Sequence, residues 1–322
     1  MNELRFHPFL NEWVAIATHR QNRDFLPPED FCPLCPTKDK QKPTEIPEKN
    51  FEIVVFENKY PTFVLNAPEV IQENFLKKRR ASGICEVVVY SPDHNLPLEK
   101  FPLKKIENLI EVWIDRYKEL SEEKFIKYVL IFENKGREIG VTLDHPHGQI
   151  YAYPYIPPIV KKELNSALNY FKKNKKCLFC QILSHEENER KRVVIENKSF
   201  FGFIPFYARY PYEVHVFSKR HICSLREIDN FDKKNLASIL KSLVNKYNNL
   251  FGFQMPYMMV IHQSPTDQRD YSKWVHFHIE FYPPYRTKDK LKFLASSEQG
   301  AGTFINDTLP EENAIILRNV KI

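Results

Sequence analysis

The sequence predicts an α+β fold made of two tandem repeats, each an antiparallel sheet with flanking helices. Three observations support this prediction. One order of motifs occurs twice along the 322 residues, the strand candidates are rich in β-branched and aromatic residues, and the helix candidates carry apolar residues at helical spacing. We place the first repeat at residues 1–158 and the second at residues 159–322.

The repeat is visible as two aligned series of segments. The run GICEVVVYSPDH in the first half corresponds to YPYEVHVFSKRH in the second, and residues 86–94 align with residues 213–221 without a gap. Further along, the paired histidines of DHPHGQ correspond to those of WVHFHI. Each half therefore contains a CxxC pair, a strand ending in histidine, a helix, and a strand that carries His-x-His.

The helices are marked by apolar stripes that should face a core. The two stripes consist of Ile106, Leu109, Ile110, Trp113, Tyr117 and Leu120 in the first half and Leu236, Ile239, Leu240, Leu243 and Tyr247 in the second. A further helix follows Pro157 and Pro158, and we expect it to link the halves. Its apolar face consists of Val160, Leu164, Ala167, Leu168 and Phe171.

The composition is that of a folded globular protein rather than a disordered, collagen-like or disulfide-stapled chain. Hydrophobic residues make up 43% and charged residues 27%, and the formal net charge is +6. This charge suits an anionic substrate but is too dilute to indicate nucleic-acid binding. The opening residues MNELRFHPFLNEW lack a signal-peptide pattern, and no run of about 18 apolar residues occurs, so we expect a cytoplasmic protein without a membrane span.

Cysteine spacing gives the first indication of chemistry. Four of the six cysteines form two CxxC pairs, Cys32 with Cys35 and Cys177 with Cys180. In a cytosolic protein such pairs are more often metal ligands or redox centres than structural disulfides. The first pair lies among prolines rather than at the start of a helix, which favours zinc over a thioredoxin-like centre. We expect Cys85 and Cys223, which stand alone, to be packing residues.

The first His-x-His lies where it could complete a zinc site. His94 and His145 together with Cys32 and Cys35 would form a Cys₂His₂ set, and four protein ligands without an open position are typical of structural zinc. On a strand His145 and His147 would project to the same face, because side chains alternate with a period of two. Such a site would hold the strand that carries His147.

The run FENKGREIGVTLDHPHGQIYA resembles the active-site segment of galactose-1-phosphate uridylyltransferases, which belong to the histidine-triad superfamily. The resemblance spans nearly the whole chain and includes HPFLNEWVAIATHRQNR, the SPDH element, ARYPYEVHVF and KFLASSEQ. It implies two histidine-triad-like half-barrel repeats in each subunit, a homodimer, and a nucleophile in the first His-x-His.

The resemblance also implies roles for individual residues around the nucleophile. His147 would attack the α-phosphorus of a UDP-hexose and carry the uridylyl group, as a neutral imidazole can near pH 7. Gln149 stands where hydrolases of the superfamily have a third histidine, and its neutral amide can donate to a phosphoryl oxygen. Thr142 would contact a phosphoryl oxygen, and Arg20 and Arg23 would lie near the phosphates.

Contacts to the nucleotide sugar are implied for a second group of residues. Asn58 and Asn134 match asparagines that contact the nucleotide sugar and phosphates. Lys292, Phe293 and Glu298 keep the spacing of hexose contacts contributed across the dimer. The sequence departs from the family pattern at Ser297, where better-known members have tyrosine.

Two ligand sets compete for the second metal site. One repeats the first site and consists of Cys177, Cys180, His221 and His276. The other, used by members that lack these cysteines, would consist of Glu163, His262, His276 and His278. Both sets contain His276, so we expect that they cannot both be fully occupied, and thiolates favour the cysteine set. We expect two zinc ions per chain and no chemical role for His185 and His215.

The leading hypothesis is a nucleotidyltransferase that exchanges UMP between UDP-glucose and galactose 1-phosphate by a ping-pong route. Its partners would be UDP-glucose or UDP-galactose and a hexose 1-phosphate, with no nucleic acid or membrane. An alternative is a phosphorylase that transfers AMP from ADP-glucose to phosphate, because a double CxxC also occurs there. A third hypothesis is a non-enzymatic, zinc-stabilised mononucleotide-binding module, which leaves Gln149 and Arg20 unexplained.

Overall fold

The computed structural model describes residues 2–23, 27 and 31–322. Its strands are β1 (Asn2–His7), β2 (Glu12–Ala17), β3 (Val54–Glu57), β4 (Lys78–Arg80), β5 (Ile84–Val89), β6 (Tyr128–Lys135), β7 (His147–Tyr153), β8 (Val193–Glu196), β9 (Phe200–Phe203), β10 (Val214–Ser218), β11 (Tyr257–His262), β12 (His278–Tyr282), β13 (Tyr285–Thr287) and β14 (Lys290–Leu291). Its α-helices are α1 (Leu103–Glu122), α2 (Pro158–Asn174), α3 (Leu178–Glu189), α4 (Asn230–Phe251), α5 (Ser296–Ala301) and α6 (Pro310–Asn319).

Both halves of the chain share one antiparallel sheet. Nine strands lie in the order β3-β5-β7-β6-β11-β12-β10-β9-β8. The first four strands of this order come from the first half of the chain and the last five from the second half. Strands β6 and β11 pair at the centre, where Phe132 lies opposite Val260. The predicted α+β fold with antiparallel strands and flanking helices is confirmed, and the half-sheets join edge to edge.

Helices α1 and α4 pack on one face of this sheet and form a core that spans both halves. The two predicted stripes are buried, and Trp113 of α1 and Tyr247 of α4 are 0% exposed. They belong to one cluster with Ile131 and Ile150 of the first half and Ile279 of the second. Because truncating a buried tryptophan typically costs about 3–5 kcal/mol, this shared core is a major source of stability.

The helix boundaries follow from local capping. The Asp229 carboxylate accepts hydrogen bonds from the amides of Phe231 and Asp232 at 2.8 and 2.9 Å, which satisfies free donors at the start of α4. The helix ends at Gly252, whose φ of 77° is left-handed and suits glycine. Helix α2 begins at Pro158 and not after it as predicted, because proline fits the first turn of a helix.

The gap-free alignment of residues 86–94 with residues 213–221 is wrong within the strand. It equates Glu86 with Glu213, but these side chains lie on opposite faces of the sheet. Glu86 accepts a hydrogen bond from Nε of Arg116, on α1, at 2.9 Å. Glu213 instead pairs with His215 on the other face at 2.8 Å. A slip of one residue has this effect, since side chains alternate between faces.

The slip arises from one extra residue in the first half. Val89 pairs with His147, whereas the residue opposite His278 is Phe217, which directly precedes Ser218. The first half therefore contains an additional residue between the strand and the following serine, and that residue is Tyr90.

The start of β7 also differs from the prediction. The strand begins at His147, so His145 lies just before it and not within it. Pro146 stands between them and has no amide hydrogen for the ladder, which accounts for this boundary. The prediction that His145 and His147 project to the same face of one strand therefore does not hold, because His145 lies outside the strand.

Two small sheets complete the described architecture. Strands β2-β1-β4 form one, and β13 and β14 form the other. Within residues 2–23, 27 and 31–322, none of the helices combines the length and the apolar character that a membrane span requires.

Candidate active site and metal centres

The first predicted ligand set comes together in the structure. Cys32 and Cys35 form a tight turn in which the Cys35 amide donates to the Cys32 carbonyl at 3.1 Å. The Sγ atom of Cys35 lies 3.5 Å from Nδ1 of His94 and 3.4 Å from Nδ1 of His145. One ligand atom from each of the four residues lies within 4.8 Å of the others. Two thiols and two imidazoles at this spacing suit a tetrahedral zinc ion.

A backbone contact orients the ring of His145 toward the thiols. Its Nε2 lies 2.7 Å from the carbonyl oxygen of Ser91. Because a carbonyl can only accept, Nε2 carries the hydrogen and Nδ1 presents a lone pair to the cysteines. Burial lowers the pKa of His145 to about 4, so the ring is neutral at pH 7, which is the form that binds a metal.

The cysteine set of the second half assembles in the same way. Cys177 directly precedes α3 and Cys180 lies in its first turn. The Sγ atom of Cys180 lies 3.1 Å from Nδ1 of His221 and 3.4 Å from Nδ1 of His276. Nε2 of His276 contacts the Ser218 carbonyl at 2.7 Å, as His145 contacts its serine. Hydrogen bonds from Cys180, His221 and His276 lower the pKa of Cys177, which favours a metal-binding thiolate.

The competing ligand set forms a separate cluster without His276. Ligand atoms of Glu163, His262 and His278 lie within 4.8 Å of one another. Nδ1 of His262 is 2.9 Å from Glu163, and its Nε2 is 3.4 Å from Glu280. The expectation that the two sets exclude each other is therefore wrong, because His276 belongs to the cysteines and leaves the other three residues as an independent group.

Two further histidines were expected to have no chemical role. His215 is buried beside the Glu163 cluster, with its Nε2 2.8 Å from Glu213 and 3.3 Å from Glu280. Although burial opposes it, these carboxylates raise the pKa of His215. His185 is exposed on α3.

His147 is the first residue of β7 and faces a cavity. Its Nδ1 lies 2.7 Å from the carbonyl oxygen of His145, so Nδ1 carries a hydrogen and Nε2 keeps its lone pair. Burial lowers the pKa of His147, which keeps the ring neutral at pH 7. The cavity has a volume of about 240 Å³, and Asn134 and Leu143 also line it. The site therefore presents a neutral imidazole in a fixed orientation, whose Nε2 could act as a nucleophile.

Gln149 and Asn134 lie on the strands next to His147. Gln149 follows His147 by two residues on β7, so both side chains project to the same face of the sheet. It lies opposite Phe132 of β6, and Asn134 follows two residues later on the same face. Two neutral amides are thus placed next to the imidazole.

Arg20 and Arg23 lie at one short 3₁₀ turn, Thr18–Asn22. Nη1 of Arg20 donates to the Tyr60 carbonyl at 2.9 Å and to the Tyr151 hydroxyl at 3.2 Å. Tyr151 belongs to β7, which connects this turn to the strand of His147. Nε of Arg23 donates to the Arg20 carbonyl at 3.2 Å. Burial and then the neighbouring Arg20 lower the pKa of Arg23, so two cationic groups lie side by side.

Asn58 and Thr142 lie on loops near these elements. The Asn58 amide donates to the Cys85 carbonyl at 2.8 Å, and its Oδ1 accepts from the Tyr60 amide at 2.8 Å. Asn58 and Arg20 therefore meet at Tyr60. Thr142 lies in the loop that leads to β7.

The predicted hexose contacts form their own group near the C-terminus. Nζ of Lys292 lies 3.3 Å from the Glu298 carboxylate, whereas Phe293 is 70% exposed. The hydroxyl of Ser297 donates to the Thr303 carbonyl at 2.8 Å. Lys292, Phe293 and Glu298 are not among the described residues that line the cavity of His147.

Corresponding positions of the two halves have different electrostatic character. Glu280 takes the place of Gln149, two residues after the second histidine of each His-x-His, and His262 takes the place of Asn134. Although burial opposes it, the carboxylates of Glu163 and Glu280 raise the pKa of His262 to about 9. The second half therefore suits a cation, and the neutral amides of the first half suit an anionic phosphate.

Sequence reasoning missed the residues that hold Arg20, and it missed Glu280, which adds to the acidity that Glu163 gives the second half. The Tyr60 carbonyl and the Tyr151 hydroxyl carry no motif, so no sequence signal pointed to them. Glu280 could have been found, because the repeat places it at the position of Gln149.

Comparisons with known proteins agree across the whole chain. The sequence profile of the galactose-1-phosphate uridyl transferase N-terminal domain matches residues 1–157, and that of the C-terminal domain matches residues 163–321. A galactose-1-phosphate uridylyltransferase of Thermotoga maritima is 43% identical over 324 residues, which cover 100% of this chain and 99% of that protein.

Solved structures show the same relationship. The structure of a uridylyltransferase is 35% identical with a TM-score of 0.88 and covers 99% of this chain and 98% of that chain. An ADP-glucose phosphorylase of Arabidopsis thaliana with bound ADP-glucose is 26% identical with a TM-score of 0.75, and all of both chains is covered. With both of its halves matched, the chain belongs to the galactose-1-phosphate uridylyltransferase family.

Proposed function

We propose that this protein exchanges uridylyl groups between UDP-glucose and galactose 1-phosphate through a covalent uridylyl-histidine. The observation that carries the proposal is the orientation of His147, whose Nδ1–H is bound to the His145 carbonyl at 2.7 Å. Its Nε2 lone pair is therefore the available nucleophile at the cavity. The family relationship supplies the reaction class, since relatives are named for uridylyl transfer to galactose 1-phosphate.

The two half-reactions follow from this geometry. Nε2 of His147 attacks the α-phosphorus of UDP-glucose, a P–N bond forms, and the P–O bond to glucose 1-phosphate breaks with its electron pair leaving on oxygen. The leaving group is already an anion, so no strong acid is needed. A phosphate oxygen of galactose 1-phosphate then attacks the same phosphorus, and the P–N bond breaks to regenerate neutral His147 and release UDP-galactose.

Gln149, Arg20 and Arg23 fit supporting roles in this reaction. The Gln149 amide can donate to a phosphoryl oxygen without transferring a proton, which favours transfer to an acceptor over attack by water. The two guanidinium groups can balance phosphate charge. In the second half, Glu280 would repel a phosphoryl group, which is why we assign the nucleophile to His147 and not to His278.

The remaining assignments concern ligand binding and assembly. We propose that Asn58, Asn134 and Thr142 contact the nucleotide sugar. We propose that Lys292, Phe293 and Glu298 contact the hexose in the site of a second subunit of a homodimer. Phe293 is 70% exposed, whereas Lys292 is buried beside Glu298. A cytoplasmic location fits six free thiols. We also propose residues 1–158 and 159–322 as the functional halves.

Both Cys₂His₂ sets are proposed to hold structural zinc. Each closes four ligands around one point, and each has an imidazole whose second nitrogen is fixed by a serine carbonyl. Zinc bound to the first set would hold the segment that leads to His147. The Glu163 cluster is a third place where a cation could be held.

The phosphorylase alternative keeps some structural support, because the chain also matches the ADP-glucose phosphorylase over its full length. The two activities differ in nucleobase and acceptor. Turnover of UDP-glucose with galactose 1-phosphate, measured beside ADP-glucose with phosphate, separates them.

We predict that Cys35→Ser lowers zinc content by about one equivalent and lowers thermal stability at the same time. The reason is that Cys35 contributes one of four ligands, and structural zinc adds folding free energy. Metal analysis and a thermal melt measure both quantities, with Cys85→Ser as the control for a buried cysteine outside the clusters. Unchanged zinc content in Cys35→Ser would overturn the assignment.

We also predict about two zinc equivalents for the unmodified protein and about one for the Cys177→Ala, Cys180→Ala double variant. This follows because the Glu163 cluster lies apart from the cysteines and lacks thiolates, for which zinc has high affinity. Metal analysis after exhaustive dialysis gives the answer. Two equivalents in the double variant would instead assign the second zinc to Glu163, His262 and His278.

A third prediction tests the nucleophile. With UDP-glucose and no acceptor, the protein should form an acid-labile uridylyl adduct on His147 and release one glucose 1-phosphate per site. His147→Ala should form no adduct, and its turnover should fall by about 10⁴-fold or more, because the covalent route is lost. Peptide mapping by mass spectrometry locates the adduct, and His185→Ala is the matched control. An adduct on His278 would contradict the assignment.

A further inference from the structure

We propose that Tyr90 and Glu133 are positioning residues that fix the main chain of Gly148 and thereby the nucleophile His147. This inference rests on the proposed function, since it concerns the reactivity of that histidine. Tyr90 packs in the core on the helix-covered face of the sheet, opposite the side chain of His147. Glu133 accepts its hydroxyl there and is also among the residues that line the cavity.

The three residues meet on adjacent strands. Tyr90 directly follows β5, Gly148 is the second residue of β7, and Glu133 belongs to β6. The hydroxyl of Tyr90 donates to the Glu133 carboxylate at 2.9 Å, and Tyr90 is 1% exposed. The other oxygen of Glu133 accepts from the Tyr257 hydroxyl, on β11, at 2.7 Å. The buried carboxylate of Glu133 thus connects Tyr90 of the first half to Tyr257 of the second half.

The contact explains the glycine of the HPHG sequence. A Cβ placed on Gly148 would lie 2.3 Å from the hydroxyl oxygen of Tyr90, 3.2 Å from its Cζ and 3.3 Å from the Phe132 carbonyl. The first distance is far below any real carbon–oxygen contact, so no side chain fits while Tyr90 is bound to Glu133. Glycine is required here by space, and the Tyr90 hydroxyl sets how closely the backbone approaches.

The arrangement is absent from the other half, although the sheet is the same. In the second half, Ile279 takes the place of Gly148 and Ile261 takes the place of Glu133. Val216 lies opposite Ile279 on the neighbouring strand. Both isoleucines are 0% exposed. Tyr90 is the extra residue of the first half and has no counterpart. The second half thus forms the same sheet with apolar side chains at these positions. The contacts of Tyr90 and Glu133 with Gly148 therefore serve the half that carries the proposed nucleophile.

The protonation state of Tyr90 keeps its hydrogen bond to Glu133 in place. Burial raises the pKa of Tyr90 well above its usual value, and Glu133 raises it further, so the phenol remains a hydrogen-bond donor at pH 7. Asn134 follows Glu133 and projects to the substrate face, since neighbouring side chains alternate. Fixing Glu133 therefore also fixes the backbone of a second cavity residue.

A double-mutant cycle tests the proposal. Gly148→Ala should lower the rate of adduct formation by about 100-fold with little change in the KM for UDP-glucose, because a displacement of about 1 Å can have this effect. Tyr90→Phe removes the oxygen that the new methyl group would meet. The double variant Tyr90→Phe, Gly148→Ala should therefore react faster than Gly148→Ala alone, which a sum of two structural defects would not give.

Two further variants keep the test decisive if Gly148→Ala does not fold. Tyr90→Phe and Glu133→Gln should each lower kcat by about 10-fold while leaving the KM for UDP-glucose unchanged. Tyr247→Phe is the matched control, since it also removes a buried tyrosine hydroxyl, bound to the Tyr212 carbonyl at 2.9 Å, but lies in the other half. It should lower thermal stability without lowering kcat.

The outcomes separate this inference from the proposed function. If the unmodified protein forms no uridylyl adduct, the proposed function fails. If it does so, but Tyr90→Phe and Glu133→Gln react at the unmodified rate, or Tyr247→Phe slows the reaction equally, the positioning role is overturned. A double variant slower than Gly148→Ala would also overturn it.

Discussion

One hydrogen bond determines which nitrogen of His147 can react: the ring donates from Nδ1 to the carbonyl oxygen of His145 at 2.7 Å, and His278 makes the corresponding bond to His276 at 2.9 Å in the second half. The acceptor has no proton to give, so the tautomer is fixed and Nε2 is the nitrogen that can form a bond to phosphorus. The residue that supplies this carbonyl, His145, is itself oriented by a hydrogen bond from its Nε2 to Ser91, and its Nδ1 faces the cysteine thiols. Two residues of sequence thus connect a candidate zinc centre to the proposed nucleophile.

The two halves show how one fold can hold two kinds of site. They share a sheet and a core, and each places a histidine at the start of the corresponding strand. In one half that histidine has Gln149 beside it, and in the other it has Glu280. An amide at this position would favour a phosphate and a carboxylate would favour a cation, while the cysteine clusters stay alike. Chemistry here depends on a few side chains presented by equivalent strands.

Much of this arrangement could be predicted from the sequence, because its determinants are local or repeated. The apolar stripes around Trp113 and Tyr247 predict helices, and the repeated CxxC and His-x-His predict the ligand groups that the structure brings together. What could not be predicted depends on register. A gap-free alignment concealed the extra residue Tyr90, since one inserted residue on a strand reverses faces without changing composition. The sequence already favoured the cysteine set for His276, and only three-dimensional placement shows that Glu163, His262 and His278 form a cluster without it.

The most direct test of the account is to identify the nitrogen that carries the uridylyl group. Protein labelled with ¹⁵N in histidine, mixed with UDP-glucose without an acceptor, can be examined by ³¹P–¹⁵N correlation NMR. The account predicts one phosphoramidate signal, on Nε2 of a single histidine, absent from His147→Ala and discharged by galactose 1-phosphate. A phosphorus–nitrogen correlation to Nδ1, or one that persists in His147→Ala, would contradict it.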